Sequence, residues 1–189
     1  MKCDIVLAGV GGQGILTIAA ILGQVAVEQN IHVKQSEIHG MSQRGGSVFA
    51  HLRLSDQPIL ADQITAGTAD IVLAMEPMEA LRNRSFLAPD GVLISNTTPI
   101  ININDYPETQ GIIDELKVLP KAILIDADAA AKEAGNARSF NIVLLGAVSN
   151  YIDFPAGALE DALSRRFARK GEEVVAQNLK AFAAGKEAR

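Results

Sequence analysis

Short, continuous apolar runs alternate with longer stretches of helical spacing over the first two thirds of the chain. Residues 5–8, within "DIVLAGV", form a compact apolar run that ends in glycine and predict a buried strand. Residues 12–28 have helical length, with apolar positions recurring at helical spacing. "IHVKQS" predicts a second strand and "SVFAHLRLS" a third. In the third, Val48, Ala50, Leu52 and Leu54 share one side, while Phe49, His51 and Arg53 share a wetter one. "DQP" marks a turn, "ADIVLAM" a further buried strand, and "EPMEALRNR" a helix with proline in its first turn. "GVLISN" and "KAILIDA" repeat the strand pattern. From Ala127 onward the pattern is helical. "NIVLLGAVSNYI" has no polar face and predicts a buried helix, "GALEDALSRRFARKG" is amphipathic, and "EEVVAQNLKAFAAGKEAR" predicts a solvated, fraying terminal helix. Strands alternating with helices predict one α/β domain over 1–189, with a mostly parallel sheet, helices on both faces and a helical C-terminal part.

Composition narrows the function. Of 189 residues, 48% are hydrophobic and only 4% aromatic, which suits an aliphatic core between sheet and helices. The net charge of −5, without any basic run, argues against a nucleic-acid surface. Cys3 is the only cysteine, so this chain by itself can bind neither a thiolate zinc site nor an iron–sulfur cluster. His32, His39 and His51 do not fall at metal-helix spacing, and no metal ligands are expected. A cytoplasmic compartment is expected, because Asp4 and the glycines at 11 and 12 break any signal-peptide core, and the apolar stretch 15–27 is too short for a membrane span.

"GVGGQG" puts Gly9, Gly11 and Gly14 at G-x-G-x-x-G spacing, after a strand and before a helix. That context predicts a Rossmann-like loop: Gly9 for the tight turn, Gly11 for close approach of a pyrophosphate, Gly14 for helix packing, and an anion at the helix start, with Gly12 and Gln13 in the same loop. A plain packing turn is the alternative. Glu37 follows Gly14 by 23 positions, near the separation of about 20 expected for a ribose-binding acid, although another task for it is equally open. "MSQRGG" is the second unusual stretch. Arg44 offers a planar fork of donors for a carboxylate or phosphate, Ser42 and Gln43 add neutral polar groups, and Gly45 and Gly46 permit close backbone approach. This loop is expected at the same sheet edge as "GVGGQG", facing either the active site or a partner subunit. His39 is expected as a hydrogen-bonded turn residue or an acid/base group. Glu76, Asn96 and Thr97 end strands at that edge, and Asn141 is expected to cap a helix. Arg165, Arg166, Arg169 and Lys170 read as a solvated helix face, and Cys3 as an inert buried thiol.

Taken together, "CDIVLAGVGGQGILT", "VKQSEIHGMSQRGGSVFAHLRLS", "ADIVLAMEPMEALR", "ISNTTPI" and "SFNIVLLGAVS" resemble the gamma-type catalytic domain of the 2-oxoacid:ferredoxin oxidoreductases, most closely its indolepyruvate branch. The resemblance implies oxidative decarboxylation of a 2-oxoacid, acyl transfer to coenzyme A and reduction of ferredoxin. It implies thiamine diphosphate, Mg and iron–sulfur clusters in a large alpha subunit, no cofactor bound by this chain alone, and coenzyme A near the interface beside the two glycine loops. Another 2-oxoacid such as pyruvate, 2-oxoglutarate or 2-oxoisovalerate, a non-catalytic assembly module, and an independent NAD-dependent dehydrogenase are the rival readings. The last is disfavoured by the absence of a substrate domain and of a clear catalytic His, Lys or Tyr set.

Overall fold

The computed structural model describes residues 1–39 and 45–188, and the backbone but not the side chain of His39. The order of elements is β1 (Lys2–Val10), α1 (Ile15–Glu28), β2 (His32–His39), β3 (Ser47–Ser55), β4 (Ala69–Ala74), α2 (Pro77–Asn83), β5 (Leu87–Asn96), α3 (Thr109–Lys117), β6 (Ala122–Ile125), α4 (Ala127–Glu133), α5 (Phe140–Ser149), α6 (Ala158–Phe167) and α7 (Glu172–Glu187). The strands form one sheet in the order β2-β3-β1-β4-β5-β6. β1, β4, β5 and β6 pair in parallel, as their unbroken apolar runs require of strands covered on both faces.

β3 is the exception that shapes the edge carrying the glycine loops. It runs antiparallel to both β1 and β2 and lies between them. Because it is reversed, its first residue, Ser47, pairs with the last residue of β1, Val10. β2 is left as an outer strand, and its polar sequence suits an edge.

Two cores cover the sheet. On one face Ile5, Leu7, Leu52 and Leu54 pack beneath α1, α4, α5, α6 and α7. On the other Val6, Ala8, Val72 and Leu93 pack against Ile64, α2 and α3. The expected wetter side of β3 is in fact covered. Arg53 grips Asp4 through Nε (2.8 Å) and Nη2 (3.0 Å), and donates to the carbonyls of Ala61 and Gln63. Beside it His51 is 3% exposed and accepts from the Ile64 amide through Nδ1 at 3.0 Å. The 56–68 connection thus forms a lid over that face. α3 was not anticipated from hydropathy; it buries Ile112, Ile113 and Leu116, but Gly111 and polar neighbours mask the pattern.

The terminal helix departs most from expectation. α7 is not a solvated appendage but buries Asn178, Ala181, Phe182 and Gly185. It crosses α5 with glycine against backbone: a Cβ on Gly185 would lie 1.7 Å from the Val143 carbonyl oxygen, and one on Gly146 2.0 Å from that of Phe182. Apart from Asn178, the polar residues that make α7 look solvated lie on its outer side.

Gly185→Ala should therefore cost about 3 kcal/mol or more, since backbone must move to admit one methyl group. Gly23→Ala in α1, where the nearest atom to an added Cβ is Val33 Cγ1 at 3.6 Å, should be neutral or gain up to about 1 kcal/mol. Chemical denaturation of the two variants checks the pair. His51 generates a pH prediction. Burial depresses its pKa, the nearby Asp62 opposes this and Arg53 adds to it. The native state therefore holds fewer protons than the unfolded chain near and below the unfolded value of about 6.5. Its contribution is fully present above that value and is lost as pH falls below it. In His51→Gln, whose carbonyl can still accept from Ile64, part of this acid-side loss should vanish from melting curves taken between pH 7.5 and 5.

Candidate functional site

The glycine loop after β1 is held from within. Gln13 is buried; its Oε1 accepts from the Val10 amide at 2.6 Å and its Nε2 donates to the Met75 carbonyl at 3.2 Å. The side chain thus ties the loop to the end of β4. Gly9 does not make the turn. It lies inside β1, where a Cβ would sit 2.7 Å from Gln13 Oε1 and 2.9 Å from Met75 Cβ. The turn falls to Gly12 (φ +105) and Gly14 (φ +85), both in backbone regions that disfavour other residues. Nor does Gly14 serve helix–sheet packing: it precedes α1, and its missing Cβ would meet Asn141 Nδ2 at 2.3 Å.

The two glycine segments meet. Gly11 N donates to Gly46 O at 2.9 Å, and Gly45 N reaches Gly11 O at 3.4 Å, which carries the β1–β3 ladder past the ends of both strands. Ser42, Gln43 and Arg44 lie outside the described residues. Gly45 is held further by Asn102, whose Nδ2 donates to its carbonyl. Ser47 is anchored by Glu79, a carboxylate only 1% exposed: Ser47 Oγ donates to Oε2 and Arg82 Nη1 to Oε1, both at 2.6 Å.

Other strand-end residues are structural. Glu76 caps α2, accepting from the Glu79 amide at 2.7 Å, and its second oxygen accepts from Tyr106 Oη at 2.7 Å. Asn96 bonds to Met75 O, Asp128, Thr98 N and Ala127 N, with Thr97 beside it on the β6 carbonyl of Ile125. Asn141 does not cap its helix; its Nδ2 donates to Gln13 O at 3.4 Å, joining α5 to the glycine loop. His39 ends β2, with its backbone opposite Val48. Cys3 is buried near the other end of β1, and burial followed by Asp70 and Asp4 pushes its thiol up to about 12. No group of three or more metal-ligating side chains that could hold an ion occurs among the described residues.

A cleft of about 360 Å³ opens between the loops, lined by Gly11 to Leu16, Glu37 and Val48. Glu37 is thus on the cleft, but its strand is not beside β1. The dinucleotide arrangement places the ribose-binding acid at the end of the neighbouring strand, whereas here β3 intervenes and displaces Glu37 by roughly one strand spacing, about 4.8 Å. A second cleft lies on the other side of the α1 start. Its lining includes Thr17, Arg138, Asn141, Phe167 and Lys170. Lys170 therefore separates from Arg165, Arg166 and Arg169, which line a shallow groove with Gln24; Arg165 there pairs with Glu28 at 2.6 Å. No described helix is long and apolar enough to cross a membrane.

The family model for pyruvate ferredoxin/flavodoxin oxidoreductase matches residues 4–188. The chain is 39% identical to the indolepyruvate oxidoreductase subunit IorB of Archaeoglobus fulgidus, over 98% of this chain and 94% of that one. It is 31% identical to the pyruvate/ketoisovalerate oxidoreductases common subunit gamma of Pyrococcus abyssi, over 75% of this chain and 73% of the other. A solved 2-oxoglutarate:ferredoxin oxidoreductase from Magnetococcus marinus, with 2-oxoglutarate, coenzyme A and succinyl-CoA bound, superposes with a TM-score of 0.77 at 26% identity. That match covers 98% of this chain and 30% of the Magnetococcus chain, so this chain spans about a third of that polypeptide.

The Glu79 anchor makes a measurable claim. Glu79→Ala should cost about 1.5–3 kcal/mol, the range for hydrogen bonds to a charged group. A double-mutant cycle with Ser47→Ala should return a coupling of about 1 kcal/mol or more. Additive effects of the two substitutions would show that Glu79 does not hold the start of β3.

Proposed function

The chain belongs to the pyruvate ferredoxin/flavodoxin oxidoreductase family, as a non-autonomous subunit of a 2-oxoacid:ferredoxin oxidoreductase, and from that premise we propose that it serves the indolepyruvate reaction. In this reading an aryl-2-oxoacid is decarboxylated, its acyl group passes to coenzyme A as an aryl-acetyl thioester, and the electrons pass to ferredoxin. A large alpha subunit carries thiamine diphosphate with Mg and the iron–sulfur clusters, which supply the decarboxylation chemistry and the electron path. The likeness to the Archaeoglobus subunit over nearly the whole chain supports the substrate.

The observation that carries the site is the Gly11–Gly46 seam beside the first turn of α1. The amides opening a helix have no intrahelical acceptors and carry partial positive charge, so the diphosphate of coenzyme A fits there. Gly12, exposed and bare, lets that group approach the backbone. Gln13 works indirectly, holding the loop shape through Val10 and Met75. Glu37 borders the cleft, while Ser42, Gln43 and Arg44 complete the proposed binding segment or meet the large subunit. This chain's share of the reaction is thus to bind and orient coenzyme A. The displaced Glu37 weighs against the dehydrogenase reading.

Co-expression with the large subunit and assay of 2-oxoacid-dependent dye reduction tests the function. Indolepyruvate should exceed pyruvate and 2-oxoglutarate in kcat/KM by about tenfold or more, equivalent to about 1.4 kcal/mol. The chain alone should show no turnover. Preference for another 2-oxoacid would overturn the substrate assignment. Gly12→Ala tests the site: its Cβ would meet nothing within 4 Å, so only backbone strain of about 1–2 kcal/mol is expected. The methyl group would nevertheless stand in the cleft, and KM for coenzyme A should rise while KM for the 2-oxoacid holds.

A further inference from the structure

The second cleft is larger than the first, about 640 Å³, and its chemistry is set against the background of the chain. The protein has 22 acidic residues and 17 Lys and Arg, yet no Asp or Glu lines this cleft, while Arg138 and Lys170 do. Neither cation belongs to any ion pair between described residues. The wall behind them is built: Ser139 and Asn178 are buried and bonded to each other, Oγ to Oδ1, at 3.1 Å. Asn136 accepts from the Arg138 amide at 3.1 Å and fixes the turn that carries the guanidinium. Lys170 Nζ stands 5.4 Å from the centroid of the Phe167 ring.

The two clefts flank one turn of helix. Leu16 lines the first and its neighbour Thr17 the second, and Asn141 lines the second while bonded to the glycine loop that lines the first. A ligand whose diphosphate rests at the start of α1 can therefore extend one end to either side. We infer that the second cleft takes the nucleotide end of coenzyme A, with Arg138 and Lys170 contacting its ribose phosphomonoester. Arg138 supplies a planar fork and Lys170 a compact charge, the combination suited to a phosphate dianion. The inference rests on the reading of the glycine-loop cleft as the coenzyme A site.

The test compares coenzyme A with 3′-dephospho-coenzyme A in the assembled oxidoreductase. The wild-type complex should favour coenzyme A by about tenfold in KM, with similar kcat for both. Arg138→Gln together with Lys170→Gln should raise KM for coenzyme A and leave that for the dephospho form in place, bringing the ratio close to one. Both side chains are exposed, so the melting temperature should not change. Arg166→Gln, which removes a cation from the neighbouring groove, should leave the ratio intact and so exclude a general charge effect. Equal use of the two thiols by the wild type, or an unchanged ratio in the double variant, would overturn the inference while leaving coenzyme A at the glycine loops. Failure of both thiols to support turnover would instead overturn the reading on which it rests.

Discussion

The hydrogen bond from Gly11 to Gly46 is the constraint on which the proposed functional edge depends. It exists because β3 runs against β1, so that the start of one strand lies beside the end of the other. Two glycine segments 35 positions apart are thereby placed side by side at the edge where open α/β sheets hold ligands. The surrounding bonds serve that seam. Gln13 ties it to β4, Glu79 anchors Ser47 at its far side, and Asn102 holds Gly45 from above. These three tethers come from separate parts of the chain, so loop shape is imposed by tertiary structure.

Much of this was legible in the sequence, and the exceptions have physical causes. The strands at β1, β4, β5 and β6 show as continuous apolar runs because both faces are covered, and the strand–glycine–helix order of "GVGGQG" identifies its loop directly. The position of β3 was not legible. Hydropathy marks the more apolar side of a strand but not which neighbour it pairs with, and the two consecutive strands could as readily have lain outside β1. The lid over Phe49, His51 and Arg53 escaped for a similar reason, since its hold on β3 uses main-chain groups of residues 61, 63 and 64. α7 misled because its closest approach to α5 is at Gly185 and Gly146, which carry no hydrophobic signal. Asn141 looked like a cap and is a bridge; only its partner, distant in sequence, reveals that.

In the proposed reading the described residues bring backbone geometry and charge placement to the complex rather than reactive side chains. Its thiol is buried, raised in pKa and remote from the glycine seam. Its buried carboxylates at the functional edge are committed to a helix cap, a tyrosine, a serine and an arginine. What faces the clefts is main chain at the start of α1, one exposed carboxylate in Glu37, and the two cations beyond Asn141. That equipment supports the proposal of a subunit that binds and orients a phosphorylated co-substrate, and it agrees with membership of a family of multi-subunit oxidoreductases.

Hydrogen exchange in the assembled oxidoreductase, with and without coenzyme A, tests this account most directly. Residues 11–17 and 45–47 should gain protection when coenzyme A is added and gain none with NAD. Protection by NAD at those residues, or coenzyme A protection confined to the partner subunit, would contradict it.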